Sequence, residues 1–133
     1  MKTYVLDASA LMGYLRNQMG ADRTEQLLAR AAANQIVLLM SVINWGEAYA
    51  ALYRSHGRIF ADRAFARVAA LAFSLRDVDR DLARAAATLS GRFALPYADS
   101  FAAALAIQHN ATLVTSDSDF ERVKSQVNLL RLC

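Results

Sequence analysis

The sequence has 133 residues, 56% of them hydrophobic, and its 15 basic and 12 acidic side chains give a formal net charge of +3. That size suits a single domain over residues 1–133 that buries its apolar surface without staples, and no stretch pairs low hydrophobicity with a long charge run, which excludes a disordered chain. The one cysteine, Cys133, excludes an internal disulfide framework and fits a reducing compartment.

Tyr4-Val5-Leu6 reads as a short buried strand ended by Asp7, an acid that interrupts the apolar run too early for a signal peptide. A helix from Ala8 to about Asn17 follows, with Leu11, Met12 and Leu15 on its apolar side. Asp22 or Thr24 is placed to cap a second helix through Ala33. Ile36–Met40 is a continuous apolar run suited to a strand covered on both faces. The next helix spans Val42 to about His56, with Trp45, Tyr49 and Leu52 in one stripe, and Gly57 closes it. Ile59–Phe73 predicts another helix, and Leu75–Val78 a weaker strand.

Asp79 is placed to cap a helix to Phe93, whose Leu82, Ala86, Leu89 and Phe93 repeat with helical period. Pro96 forces a break before a helix from about Ala98 to Gln108. Thr112–Thr115 is the next strand, Asp119–Lys124 a short helical turn, and Val127–Leu132 a last strand. The uncharged stretches Ala31–Gly46 and Ser100–Ser116 contain too many polar side chains for a membrane span, so the reading is a soluble cytoplasmic protein with no membrane partner. Strand and helix alternate, which predicts an α/β fold: a parallel sheet between helical layers. Ligands of such sheets bind beyond the carboxyl ends of the strands, where Asp7 and Asp117 fall.

Singly, each acid has a plain explanation. Asp7 and Asp99 are placed to cap helices, Asp117 and Asp119 suit an Asx turn, and Glu47 suits a solvated helix face toward Arg54. The neighbours argue otherwise: Ala50 and Ala51 follow Glu47, and Ala102, Ala103 and Ala106 follow Asp99, at helical spacing. Small residues beside an acid leave room for a backbone, a cation or a substrate. Two carboxylates 5 Å apart repel by about 3 kcal/mol at an effective dielectric near 20. A cluster of Asp7, Glu47, Asp99 and Asp117 therefore needs protons or a cation. Oxygen ligands without His or Cys select Mg²⁺ or Mn²⁺ before Zn²⁺, and an ion so held can activate water against a phosphodiester.

The chain resembles PIN-domain ribonucleases, and among them the VapC-like toxins of toxin–antitoxin pairs. The resemblance rests on Leu6-Asp7-Ala8-Ser9-Ala10-Leu11, Ser41-Val-Ile-Asn44-Trp-Gly-Glu47, Leu95-Pro-Tyr-Ala-Asp99 through Ala106, and Leu113-Val-Thr115-Ser-Asp117-Ser-Asp119-Phe120. Their order and separations make the likeness specific over nearly the whole length. It implies a three-layer α/β/α sandwich around a parallel sheet, with Asp7, Glu47, Asp99 and Asp117 as acidic ligands of Mg²⁺ or Mn²⁺. It also implies that Asp119 is an additional acid and that Ser9 and Thr115 position ligands or water. Ala8 stands where many relatives carry Thr.

The activity implied is endonucleolytic RNA cleavage by metal-activated water, leaving a 5′-phosphate and a 3′-hydroxyl. A homodimer and a small antitoxin that inserts a basic side chain into the acidic pocket are the implied partners, with helices 21–33 and 42–73 offering apolar surface. Arg16, Arg54 and Arg92 are candidate phosphate contacts, with surface solubility as the plainer explanation. His56 and His109 form no ligand pair, and Tyr49, Tyr53, Phe65 and Phe73 suit core or subunit contact better than base stacking. The alternative is a catalytically inactive PIN-like module that binds RNA or protein. Haloacid-dehalogenase-type and receiver domains fit less well: Ser9 stands where the former needs its second acid, the latter's paired acids near the first strand are absent, and Thr112–Ser116 supplies no late Lys.

Overall fold

The computed structural model describes residues 1–133. Its elements are β1 (Thr3–Leu6), α1 (Ala8–Leu15), α2 (Ala21–Ala32), β2 (Val37–Ser41), α3 (Val42–Val68), β3 (Ser74–Arg76), α4 (Arg80–Phe93), α5 (Tyr97–Gln108), β4 (Thr112–Thr115), a 3₁₀ turn (Ser118–Val123) and β5 (Asn128–Arg131). The strands form one sheet in the order β3-β2-β1-β4-β5, and every pairing is parallel. The expected α/β/α architecture is what the chain adopts.

Side chains alternate across the strands and divide the core into two faces. Val5, Leu39 and Leu113 join Leu82, Leu89, Phe101, Leu105 and Phe120 beneath α4, α5 and the 3₁₀ turn. On the opposite face Tyr4, Leu6, Leu38 and Val114 meet Leu27 and Leu28 of α2, while Met40 meets Leu11, Leu52 and Phe65. The runs are apolar throughout because both faces are covered. No helix is long and apolar enough to cross a membrane.

Three element boundaries differ from the sequence reading. Neither Asp22 nor Thr24 caps α2; Gly20 does, at φ +89° and without a side-chain bond. A Cβ on Gly20 would lie 2.6 Å from the Leu132 Cβ and 2.7 Å from its carbonyl, so the close approach of the C-terminal segment requires glycine there. Asp22 instead sits in the first turn, where its charge suits the helix dipole. The helix expected over Ile59–Phe73 ends at Val68: Ala70 and Leu71 bond three residues back, tightening the last turn, and the half-buried Leu71 and Phe73 draw the chain down to the sheet. β3 then occupies Ser74–Arg76 rather than 75–78. As expected, Gly57 at φ +83° closes the first helical segment of α3, and the second segment packs back beside it so that Trp45 and Tyr49 meet Phe65.

Strand order places β1 at the centre, with β2 and β3 on one side and β4 and β5 on the other. The chain therefore reverses its direction of travel across the sheet between β1 and β4, and a crevice opens beyond their carboxyl ends. Asp7 and Asp117 follow those two strands.

Candidate metal centre

Asp7 follows β1 directly. Its amide donates to the Val114 carbonyl of β4, and its Oδ1 accepts the Ala10 amide at 2.8 Å as the cap of α1. The capping role is real and does not exhaust the residue. The Ser9 hydroxyl donates to the same carboxylate at 2.7 Å and the Thr115 hydroxyl at 2.5 Å. Those hydroxyls in turn accept the backbone amides of Ser116 and Asp117, each at 2.9 Å. Asp7 thus holds the β4 exit loop through two hydroxyl relays, at only 2% exposure. Burial pushes its carboxyl up to about 6, against hydrogen bonds from Thr115, Ala10 and Ser9 that favour the charged form.

Asp99 lies in the first turn of α5, but Pro96 occupies the capping position and no cap bond uses the Asp99 carboxylate. Its pKa rises to about 7, first from burial and then from the like charges of Asp117, Glu47, Asp7 and Asp119. Asp117 caps the 3₁₀ turn by accepting the Asp119 amide at 2.9 Å, which bears out the Asx-type turn. Carboxylate oxygens of Asp99, Asp117 and Asp119 lie within 4.8 Å of one another. Asp119 also pairs with Arg122 at 3.4 Å, and Arg122 donates to the Ala94 carbonyl just before α5.

Glu47 enters from α3, two turns beyond the Ser41 cap. Its Oε1 accepts the Asn44 side-chain amide at 3.3 Å. A cleft of about 210 Å³ is lined by Asp7, Ser9, Glu47, Asp99 and Asp117, with Met12, Ala51 and Arg54 on its wall. All four principal acids expected from the sequence therefore face one space, with Asp119 beside them and Ser9 and Thr115 beneath. Ala51 is small enough to leave the cleft open, and the buried Ala102, Ala103 and Ala106 let α5 sit close against its neighbours.

The three arginines separate. Arg54 lines the cleft alongside Glu47 without forming an ion pair with it. Arg16 bonds Ser55 away from the acids, and Arg92 lies over the Phe93 ring at the end of α4. His56 stacks on Phe60 at 4.3 Å, and His109 ends α5. Tyr49 and Phe65 pack edge-on with Trp45 in an aromatic cluster, as core packing requires, while Tyr53 is exposed. Two residues had no role assigned from the sequence: Asn44, wholly buried between Glu47 and α5, and Arg122. Asn44 stands three residues before Glu47, a helical spacing that already puts the two side chains on one face.

The donor set fits a hard divalent cation. Its ligands would be carboxylate oxygens, and those of Asp99, Asp117 and Asp119 already lie within 4.8 Å of one another, with no nitrogen or sulfur donor among them. Asp7 keeps roughly one of about four lone-pair directions free after its three donors.

A family model described as PIN domain matches residues 4–126. No curated protein sequence matches the chain significantly. Among solved structures, VapBC2 from Rickettsia felis, bound to a DNA fragment from its promoter, aligns at TM-score 0.77 and 18% identity over 98% of this chain and 99% of that one. VapBC-1 from nontypeable Haemophilus influenzae aligns at 0.72 and 19%, covering 98% of each chain. VapC20 from Mycobacterium tuberculosis, described as a Sarcin-Ricin loop cleaving toxin, aligns at 0.71 and 19% over 90% of this chain and 94% of that one.

Proposed function

The chain belongs to the PIN domain family, and from that premise we propose that it is a Mg²⁺- or Mn²⁺-dependent endoribonuclease, the toxin of a toxin–antitoxin pair. The observation that carries this reading is the convergence of Asp7, Glu47, Asp99 and Asp117 on one cleft with Asp119 at its edge. A purely structural site gains nothing from gathering acids around Asp99, whose carboxyl burial and then the like charges of its neighbours raise to about 7.

A divalent cation bound here supplies charge neutralisation for the phosphodiester and a water activated for in-line attack. Asp99, Asp117 and Asp119 would hold the ion from the open side of the cleft and Asp7 from its buried end. Ser9 and Thr115 keep Asp7 charged and fix the loop that carries Asp117. Glu47 faces the same space from α3, where it would complete the ligand pocket or orient the attacking water. Arg54 is the basic side chain placed to meet the RNA backbone.

The similar structures described as VapBC complexes support an antitoxin as protein partner, and the one described as cleaving the Sarcin-Ricin loop supports a structured RNA as substrate. Tyr53, Ile59 and Phe60 of α3 are exposed, and Ile59 is 72% accessible, which supports an apolar contact with the antitoxin or with a second copy in a homodimer. The protein acts as one domain over residues 1–133, in the cytoplasm.

The test is purified protein with a panel of structured RNAs, in Mg²⁺ or Mn²⁺ and in EDTA. Metal-dependent fragments with 5′-phosphate ends are expected from wild type and none from Asp7→Asn. Cleavage that survives both chelation and Asp7→Asn would sink the reading. Wild type that binds metal and RNA but never cuts would establish a binding module instead.

A further inference from the structure

Asn44 is fully buried in the first turn of α3, at 0% exposure, where a polar amide is costly unless it is bonded. Its Nδ2 donates to the Ala98 carbonyl at 2.9 Å and to Glu47 Oε1 at 3.3 Å. The Oδ1 has no partner. Turning the amide over would aim that oxygen at two acceptors, a carbonyl and a carboxylate, so the network fixes which end carries the hydrogens. One side chain thereby spends both of its donors on the cleft while leaving its acceptor unsatisfied. A side chain kept for packing alone would be apolar here, since an unmatched buried oxygen is itself unfavourable.

The two acceptors belong to different elements. Glu47 lies on α3; Ala98 immediately precedes Asp99 at the start of α5. We propose that Asn44 is a positioning residue that locks the Glu47 carboxylate and the first turn of α5 in one register, so that Glu47 and Asp99 face the same ion. Because this rests on the metal-site reading above, its test must separate the two. Asn44 does not line the cleft; it acts through Glu47 and Asp99.

The experiment measures Mn²⁺ uptake by metal-free protein, read by EPR of the free ion, alongside thermal unfolding of the same samples. Asn44→Leu keeps the branched shape, with bulkier methyl groups, and removes the amide; Asn44→Ala cannot clash and serves if leucine does not fit. Each variant, folded by near-UV circular dichroism, is expected to bind Mn²⁺ about 10- to 100-fold more weakly than wild type. In a Glu47→Ala background, which has no acceptor for the amide, the same substitution is expected to cost less. Folded variants as tight as wild type, or a penalty of equal size in the Glu47→Ala background, would overturn the proposal while leaving the metal site standing. Wild type that takes up no Mn²⁺ would remove the metal-site reading, and this inference with it.

Discussion

Two acids of this cleft, Asp7 and Asp99, look alike in sequence and are built in opposite ways. Asp7 sits at 2% exposure with donors from Ser9, Ala10 and Thr115 on its carboxylate. Asp99 is half-buried at the mouth of the cleft, uses its carboxylate in no cap, and faces four other acids. Both carboxyls are raised, to about 6 and about 7, but neighbouring donors offset the rise at Asp7 and neighbouring charges add to it at Asp99. The contrast teaches that a metal centre of this kind has a floor and a mouth. The floor is a carboxylate satisfied by the protein and used to hold a loop; the mouth is centred on Asp99, whose carboxylate takes no hydrogen bond from the chain.

The largest effect is expected at the mouth. Asp99→Asn should lower RNA cleavage by more than about 100-fold, since a directly held ion contributes several kcal/mol. The same change should raise the melting temperature of metal-free protein, because it removes a carboxylate crowded by like charge. Calorimetry checks the second outcome; a fall in stability would place Asp99 with the floor.

At the floor the sign reverses. Thr115→Val keeps the shape but removes the donor to Asp7 and the acceptor of the Asp117 amide. It should destabilise the protein by about 1–3 kcal/mol. Thermal melts at two pH values sharpen this: the loss should be larger near pH 8, where Asp7 is charged, than near pH 5, where burial already keeps it largely protonated.

A smaller effect follows from pH alone. Both carboxyls have folded values above their ordinary 3.8, so the folded state holds protons that the unfolded chain has released. Stability of the metal-free protein should therefore fall as pH rises from about 4 to about 7 and level off above. Added Mg²⁺ should restore more stability at the upper end of that window, because there it displaces no proton. A melting temperature that climbs across this range would contradict both raised values.

The smallest effect separates the arginines. Arg54→Ala should weaken RNA binding by about three- to tenfold and lower the salt slope by about 1, whereas Arg92→Ala should change neither. Filter binding across a salt series distinguishes the two.

Much of this was legible in the chain. Period and length gave the strands and most helices, because buried parallel strands write continuous apolar runs and surface helices write stripes. Boundaries that depend on distant contacts were not legible. Gly20 caps α2 because Leu132 passes over it, a contact more than a hundred residues away in sequence. The arrangement of the acids was legible as membership but not as division of labour: nothing in Leu6-Asp7-Ala8-Ser9 says that Ser9 and Thr115 will occupy the Asp7 carboxylate. Likewise Arg16, Arg54 and Arg92 are equivalent in the sequence, and only the fold turns Arg54 alone into the cleft.

The central claim, that the mouth of the cleft collects a divalent cation, is tested most directly by titrating Mn²⁺ into metal-free wild type and Asp99→Asn near neutral pH and following the free ion by EPR. Saturable uptake by wild type, weakened at least about tenfold in Asp99→Asn, is the predicted result. Equal uptake by the two proteins, or none by wild type, would contradict it.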